Sequence, residues 1–369
     1  MRAQARRRQR SDVTSSLRPG LEGVVVAETV LSHADQQGGM LWVRGRPIPD
    51  LVGQFGFEGT VALLWESFAG HGLSRAGVTQ ALGAARQQVF STIDTWLPVA
   101  TRQTLDGAIR IALALLPDDS APAAIQATFA VCVPAVLRAG VGATPLPPDP
   151  ALPVATDVLR MLQGALPDEA KARALDTYFA AMAESGMGPA TFTARTVAST
   201  RASLSSAVLA AWCSFTGPLH GGAPGPTLDV LDAAAAAGDL DSWIERKLTS
   251  GERIAGFGHR VFRGNDPRAA AMRAVLQRMG PAARLLEFAS HLEQRVAVVA
   301  ARVKPGRRLP ANVEVMAALL LDAVGFPRQA FTAVFAITRS AGWIAHALEQ
   351  RATGRMIRPA SHYVGPKVG

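Results

Sequence analysis

The stretch Phe331-Thr332-Ala333-Val334-Phe335-Ala336-Ile337-Thr338-Arg339-Ser340-Ala341-Gly342-Trp343-Ile344-Ala345-His346 decides the fold class. Its apolar side chains recur at spacings of three and four, the period of a helix. Arg339 is the only fully charged side chain between Arg328 and Glu349, and its neighbours four residues away are Phe335 and Trp343. It therefore does not sit on a solvated face. A buried guanidinium must be paired, and no acidic residue lies nearby in sequence. Arg339 needs a remote carboxylate, as in a structural salt bridge, or an anionic ligand.

The same spacing runs outward from this stretch. It predicts helices over Val61–Glu66, Leu105–Leu116, Ala123–Leu137, Ala155–Gln163 and Asp168–Met182, then one long segment from Thr191 to Phe215 stopped by Gly217-Pro218. Further helices are expected over Pro226–Ala237, Asp241–Thr249, Arg268–Met279, Ala282–Arg302, Asn312–Val324 and Arg328–Thr353. Proline-rich connectors interrupt the pattern near Pro117 and at Pro145–Pro153, where five prolines in nine residues make a stiff surface link. Residues 20–60 differ. Short alternating runs such as Gly23–Val26 and Met40–Val43 read as a small hairpin region. Together these patterns predict a mostly α protein with a small N-terminal β hairpin region.

At 369 residues, 49% of them hydrophobic and 18% charged, the chain can bury a large core in two or three domains. No run approaches the 18 or more uninterrupted apolar residues of a membrane span. Two cysteines, Cys132 and Cys213, make neither a disulfide framework nor a cysteine-rich metal site. The spacing of His, Asp and Glu offers no metal-ligand pattern, and no metal is expected. The net charge of +9 is concentrated at the N-terminus, where five of the first ten residues are arginine; without them the balance is +4. Residues 1–18 read as a solvated tail, and nucleic-acid binding is not expected of a body so mildly basic. No targeting signal is evident, which makes the cytoplasm the expected location.

Three loops hold chemistry. In Gly217-Pro218-Leu219-His220-Gly221-Gly222-Ala223 a histidine sits among small and helix-breaking residues, free to meet a ligand closely. In Gly256-Phe257-Gly258-His259-Arg260-Val261-Phe262-Arg263-Gly264-Asn265-Asp266-Pro267-Arg268, Asp266 reads as a helix cap and Pro267 as the first helical residue. Arg268 then falls at the helix's positive end, unfavourable unless an anion joins it. In Leu309-Pro310-Ala311-Asn312-Val313-Glu314, Asn312 caps a helix whose first turn holds Glu314, where the dipole favours a carboxylate. Elsewhere His33 and His71 read as polar-loop residues, His291 as part of a charged helix, and His346 and His362 as structural.

Taken in order, these pieces resemble the citrate synthase family over nearly the whole chain, from about Pro19 to Pro366. The likeness is carried by Pro19-Gly20-Leu21-Glu22-Gly23-Val24-Val25, the two histidine loops, Asp266-Pro267-Arg268, and the closing Ile357-Arg358-Pro359 and Tyr363-Val364-Gly365-Pro366. The resemblance implies a homodimer with two helical domains per chain: a large one of residues 19–220 and 316–369, and a small one of residues 221–315. It implies condensation of acetyl-CoA, the co-substrate, with oxaloacetate to citrate and CoA, with no permanently bound cofactor and no membrane. Glu314 would be the base, His220 the hydrogen-bond donor to the thioester oxygen, and His259 the proton donor to the ketone. Arg268, Arg339 and Arg358 would hold carboxylates, the last from the other subunit, with Ser185 beside them. Arg263, Gly256 and Gly258 would lie against the coenzyme.

The sequence departs from the family pattern at four positions. Glu314 stands where an aspartate is usual, Ser185 where a histidine bonds oxaloacetate, Gly188 where asparagine is usual, and Pro224 where asparagine is common. Two alternatives stay open on these residues: a 2-methylcitrate synthase using propionyl-CoA, and a weakly active or non-catalytic protein that binds CoA esters.

Overall fold

A computed structural model of the chain describes residues 19–21, 23–35, 38–221, 224–258, 266–306 and 309–366. Among them the only sheet is a three-stranded antiparallel meander, β1 (Ser32–Asp35), β2 (Met40–Val43) and β3 (Arg46–Pro47). Ser32 pairs with Val43 and Asp35 with Met40. The expected hairpin region is present, but Gly23–Val26 is not a strand. Val25 is exposed and has no partner strand, so alternation alone does not hold it in a sheet. His33, read as a loop residue, lies in β1 with its ring stacked on Trp42 at 5.6 Å.

After a short helical turn over residues 48–55, fifteen α-helices follow among the described residues. The first six are α1 (Gly56–Trp65), α2 (Arg75–Ser91), α3 (Ile93–Ala100), α4 (Leu105–Ala114), α5 (Pro122–Gly140) and α6 (Val154–Gln163). Next come α7 (Glu169–Met182), α8 (Pro189–Ser199), α9 (Leu204–Phe215), α10 (Pro224–Ala235) and α11 (Leu240–Thr249). The last four are α12 (Pro267–Leu276), α13 (Pro281–Val303), α14 (Val313–Val324) and α15 (Phe331–Thr353). The single segment expected from Thr191 to Phe215 is two helices. Arg201 takes a left-handed φ of 65° between them, and the Ser203 hydroxyl caps α9 by accepting from the Ser206 N–H. A serine that satisfies an orphan N–H competes with helix continuation, and here it wins.

Helix α15 is the axis of the core. It packs against α1, α5, α7, α8 and α9, burying Phe331, Val334, Ile337, Trp343 and Ile344. Each such side chain contributes roughly 1.5–3 kcal/mol. Gly342 lets α15 touch the chain after α7: a Cβ there would lie 2.5 Å from the Ala183 carbonyl oxygen. That contact lays residues 182–185 beside Arg339. Helix α7 also packs on α12 and α14, so one helix underlies all three that carry the arginine and glutamate candidates. Helix α5 is long and apolar enough to cross a membrane, but 67% of that stretch is buried inside the protein.

Candidate active site

Arg339 leaves α15 in the interior, 7% exposed. Its Nε donates to the Met182 carbonyl at 2.9 Å, its Nη1 to the Ser185 hydroxyl, and its guanidinium lies 5.0 Å from the Phe335 ring centre. Among the described residues it forms no ion pair. Burial pushes its pKa down to about 10, with Arg268 adding to the fall and Glu184 and Tyr178 opposing it. It is a charged group at neutral pH.

Arg268 approaches the same place from the first turn of α12. Asp266 caps that helix as expected, accepting from the Arg268 N–H at 3.0 Å. Both carboxylate oxygens also take the Arg268 fork, from Nε at 2.9 Å and Nη2 at 2.6 Å. Asp266 is thus the anion that offsets the helix's positive end. The charge of Arg268 nonetheless reaches Arg339 and helps to lower its pKa.

His220 is held by its loop. Its N–H donates to the Gly217 carbonyl, and the Gly221 N–H reaches the Phe215 carbonyl, both at 2.9 Å. A Cβ on Gly221 would strike that oxygen at 2.6 Å, so the turn needs glycine. The imidazole stands edge-on to Phe215, centroids 5.1 Å apart. Its Nε2 accepts from the Ala190 N–H at 3.2 Å, in the first turn of α8. A backbone N–H can only donate, so Nε2 is unprotonated and Nδ1 carries the hydrogen. Burial first, then the charge of Arg339, pushes the pKa of His220 down to about 4. The ring is a neutral donor.

Glu314 lies in the first turn of α14, as expected. The Asn312 side chain accepts from its N–H at 2.8 Å and donates to the Gly258 carbonyl at 3.1 Å. Gly256 and Gly258, expected against the coenzyme, stitch their loop to this helix. The Gly258 N–H bonds the Pro310 carbonyl and the Asn312 N–H bonds the Gly256 carbonyl, both at 2.8 Å. Gly256 has φ +83°, and a Cβ there would lie 2.7 Å from both Thr227 and Val315 methyl carbons. His259 and Arg263 lie outside the described residues.

The structure brings Arg268, Arg339, Ser185 and His220 together. It does not bring Arg358 to them within one chain. Arg358 is exposed, and the adjacent Ile357 N–H bonds Ser199 at the far end of α8 from Ala190.

Sequence reading missed what lies behind Arg339. Glu184 is buried and accepts from the Ser32 hydroxyl (2.9 Å), the Gly186 N–H and His346 Nε2 (3.1 Å). His346 Nδ1 faces Arg195 Nη1 at 2.9 Å; arginine can only donate, so Nε2 holds the imidazole hydrogen. Arg195 continues to Glu349 and to Gln350. Burial would raise the Glu184 pKa, but His346, Arg339 and the Gly186 N–H outweigh it and hold the carboxyl low. An ionised Glu184 therefore lies under the turn that presents Ser185. Tyr178 of α7, also fully buried, was missed too. These partners are more than 150 residues apart or carry no motif, so only the burial of Arg339 hinted at them.

Known proteins share this sequence pattern and this fold. The family profile described as citrate synthase, C-terminal domain, matches residues 20–360. A citrate synthase of Haloferax volcanii is 32% identical over 373 residues, covering 96% of this chain and 97% of that protein. A 2-methylcitrate synthase of Mycobacterium tuberculosis is 29% identical over 365 residues, covering 96% and 92%. The crystal structure of citrate synthase from Thermotoga maritima superposes with a TM-score of 0.84 at 28% identity, covering 95% of this chain and 96% of that one.

Proposed function

Because the chain belongs to the citrate synthase family, we propose that it is an acyltransferase that condenses acetyl-CoA with oxaloacetate. The products are citrate and free CoA. The observation that carries this reading is a neutral His220 donor near the buried Arg339, which forms no ion pair among the described residues, with the Asp266-paired Arg268 close enough to lower the Arg339 pKa further. A small dianionic acid supplies the carboxylate that Arg339 lacks among the described residues, and its keto carbon then lies near a donor suited to a thioester oxygen.

The acetyl methyl group is a weak acid, so proton removal needs simultaneous stabilisation of the enol oxygen. Glu314 takes the methyl proton while His220 Nδ1–H bonds the thioester oxygen. The enol carbon attacks the ketone of oxaloacetate, and the new alkoxide receives a proton from His259. Water then hydrolyses the thioester and frees CoA. Arg339 and Arg268 grip the keto acid, Ser185 adding a hydroxyl whose own hydrogen is left to donate. Arg358 would complete the grip from a second copy in a homodimer, and Arg263 would meet a coenzyme phosphate. Residues 221–315 would close as a small domain on residues 19–220 and 316–369, excluding water. Against the usual aspartate, the extra methylene of Glu314 shifts the carboxylate by about 1 Å, which can cost roughly a hundredfold unless the site adjusts.

Thiol release from acetyl-CoA, with and without oxaloacetate, tests the reading. Oxaloacetate-dependent release is expected. None from folded protein would favour a CoA-ester-binding role instead, and Ser185→His would then be expected to restore turnover. Similarity to a 2-methylcitrate synthase supports a second reading, with propionyl-CoA as the acyl donor. A higher kcat/KM for propionyl-CoA under the same conditions selects it.

A further inference from the structure

Tyr178 has a hydroxyl with no use in the described structure. The side chain is fully buried, and its oxygen has no hydrogen-bond partner among the described residues. Buried polar atoms are normally satisfied, and an orphan destabilises the fold that contains it. A phenylalanine would fill the same space without that cost. The surroundings show what the oxygen is near. Tyr178 sits on α7, which packs against both α12, the helix of Arg268, and α15, the helix of Arg339. Its ring meets Phe335 edge to face, centroids 6.4 Å apart, and the same Phe335 ring carries the Arg339 guanidinium. The hydroxyl feels the charges of both arginines.

We propose that the Tyr178 hydroxyl is a further binding group of the site, donating a hydrogen bond to the carboxylate that Arg339 and Arg268 hold. The inference rests on the reading of those arginines as the keto-acid grip. A carboxylate held by two guanidinium groups has lone pairs left over, and a phenol reaching it supplies a further donor without adding a further charge. The orphan oxygen is then the cost of a site built for its ligand.

Tyr178→Phe removes that oxygen and nothing else. Relative to wild type, KM for oxaloacetate should rise about ten- to a hundredfold, with KM for acetyl-CoA within about twofold. The unfolding midpoint without ligand should stay level or rise, and the midpoint gain given by oxaloacetate should shrink. An unchanged oxaloacetate KM overturns the proposal. So does a lowered midpoint with both KM values moving together, which marks a packing role. A wild-type protein that neither turns over nor gains stability with oxaloacetate overturns the parent reading as well; a normal wild type and an equally responsive Tyr178→Phe overturn this inference alone. A second measurement does not need that variant to fold. The chain has two tyrosines, so 3-fluorotyrosine protein gives two fluorine resonances, assigned with Tyr363→Phe. Saturating oxaloacetate should move the Tyr178 resonance, and an unmoved one contradicts the proposal.

Discussion

Arg195 and Arg339 are both buried guanidinium groups packed along α15, and they are treated differently. Arg195 has a full set of partners: the Glu349 carboxylate, the Gln350 side-chain oxygen, His346 and the Glu28 carbonyl. Arg339 has a backbone carbonyl, a serine hydroxyl and a ring, with Glu184 acting only through its field. A cation neutralised by its own chain is scaffold. A cation held by dipoles, with a carboxylate acting on it only through its field, is on the proposed reading prepared for an anion that arrives later.

Matched substitutions break or sharpen this contrast. Arg339→Met should reduce kcat/KM for oxaloacetate by about a hundredfold or more, since truncating one side of a buried charge contact costs about 2–5 kcal/mol of binding. Its unfolding midpoint should move less than that of Arg195→Met. Arg195→Met strands Glu349 and His346, and breaking a buried pair costs about 3–5 kcal/mol of stability. Urea unfolding of the two variants beside steady-state kinetics checks both halves, and a reversed pattern would erase the distinction.

His220 gives the next effect. Its folded pKa of about 4 lies below its ordinary 6.5. The unfolded chain therefore binds the proton first as pH falls, and the contribution of His220 to stability is lost progressively from about 6.5 down to about 4. Nitrogen NMR of labelled histidine should show the Nδ1–H tautomer at neutral pH and protonation only near pH 4. Titration near 6.5 would remove the neutral donor from the account. The smallest effect is expected of Ser185→Ala. Losing one hydrogen bond to a charged group, it should raise the oxaloacetate KM about tenfold with little change in unfolding midpoint.

How much of this was legible beforehand depended on distance along the chain. Asp266 and Asn312 cap helices with their own neighbours, so a short window of sequence revealed both. The proline connectors and the helical class were local as well. Arg339 was visible as an anomaly, because a lone charge amid apolar residues needs a reason. The reason was not visible. Ser185 lies 154 positions away, and Glu184 meets His346 across 162. The break at Arg201 was missed because apolar spacing continues through it while Ser203 supplies a competing cap. The first strand was misplaced because Val24-Val25-Val26 has the right composition but no partner. The roles expected of Glu314 and His220 came from the family resemblance; the tautomer of His220 came only from finding Ala190 against its ring.

A crystal structure of the protein with oxaloacetate bound tests the central claim most directly. The account predicts one carboxylate of the ligand between Arg339 and Arg268, with the keto carbon on the His220 side of the pair. Oxaloacetate seated away from both arginines, or a site where Arg339 keeps only its Met182 and Ser185 contacts at saturating ligand, would contradict it.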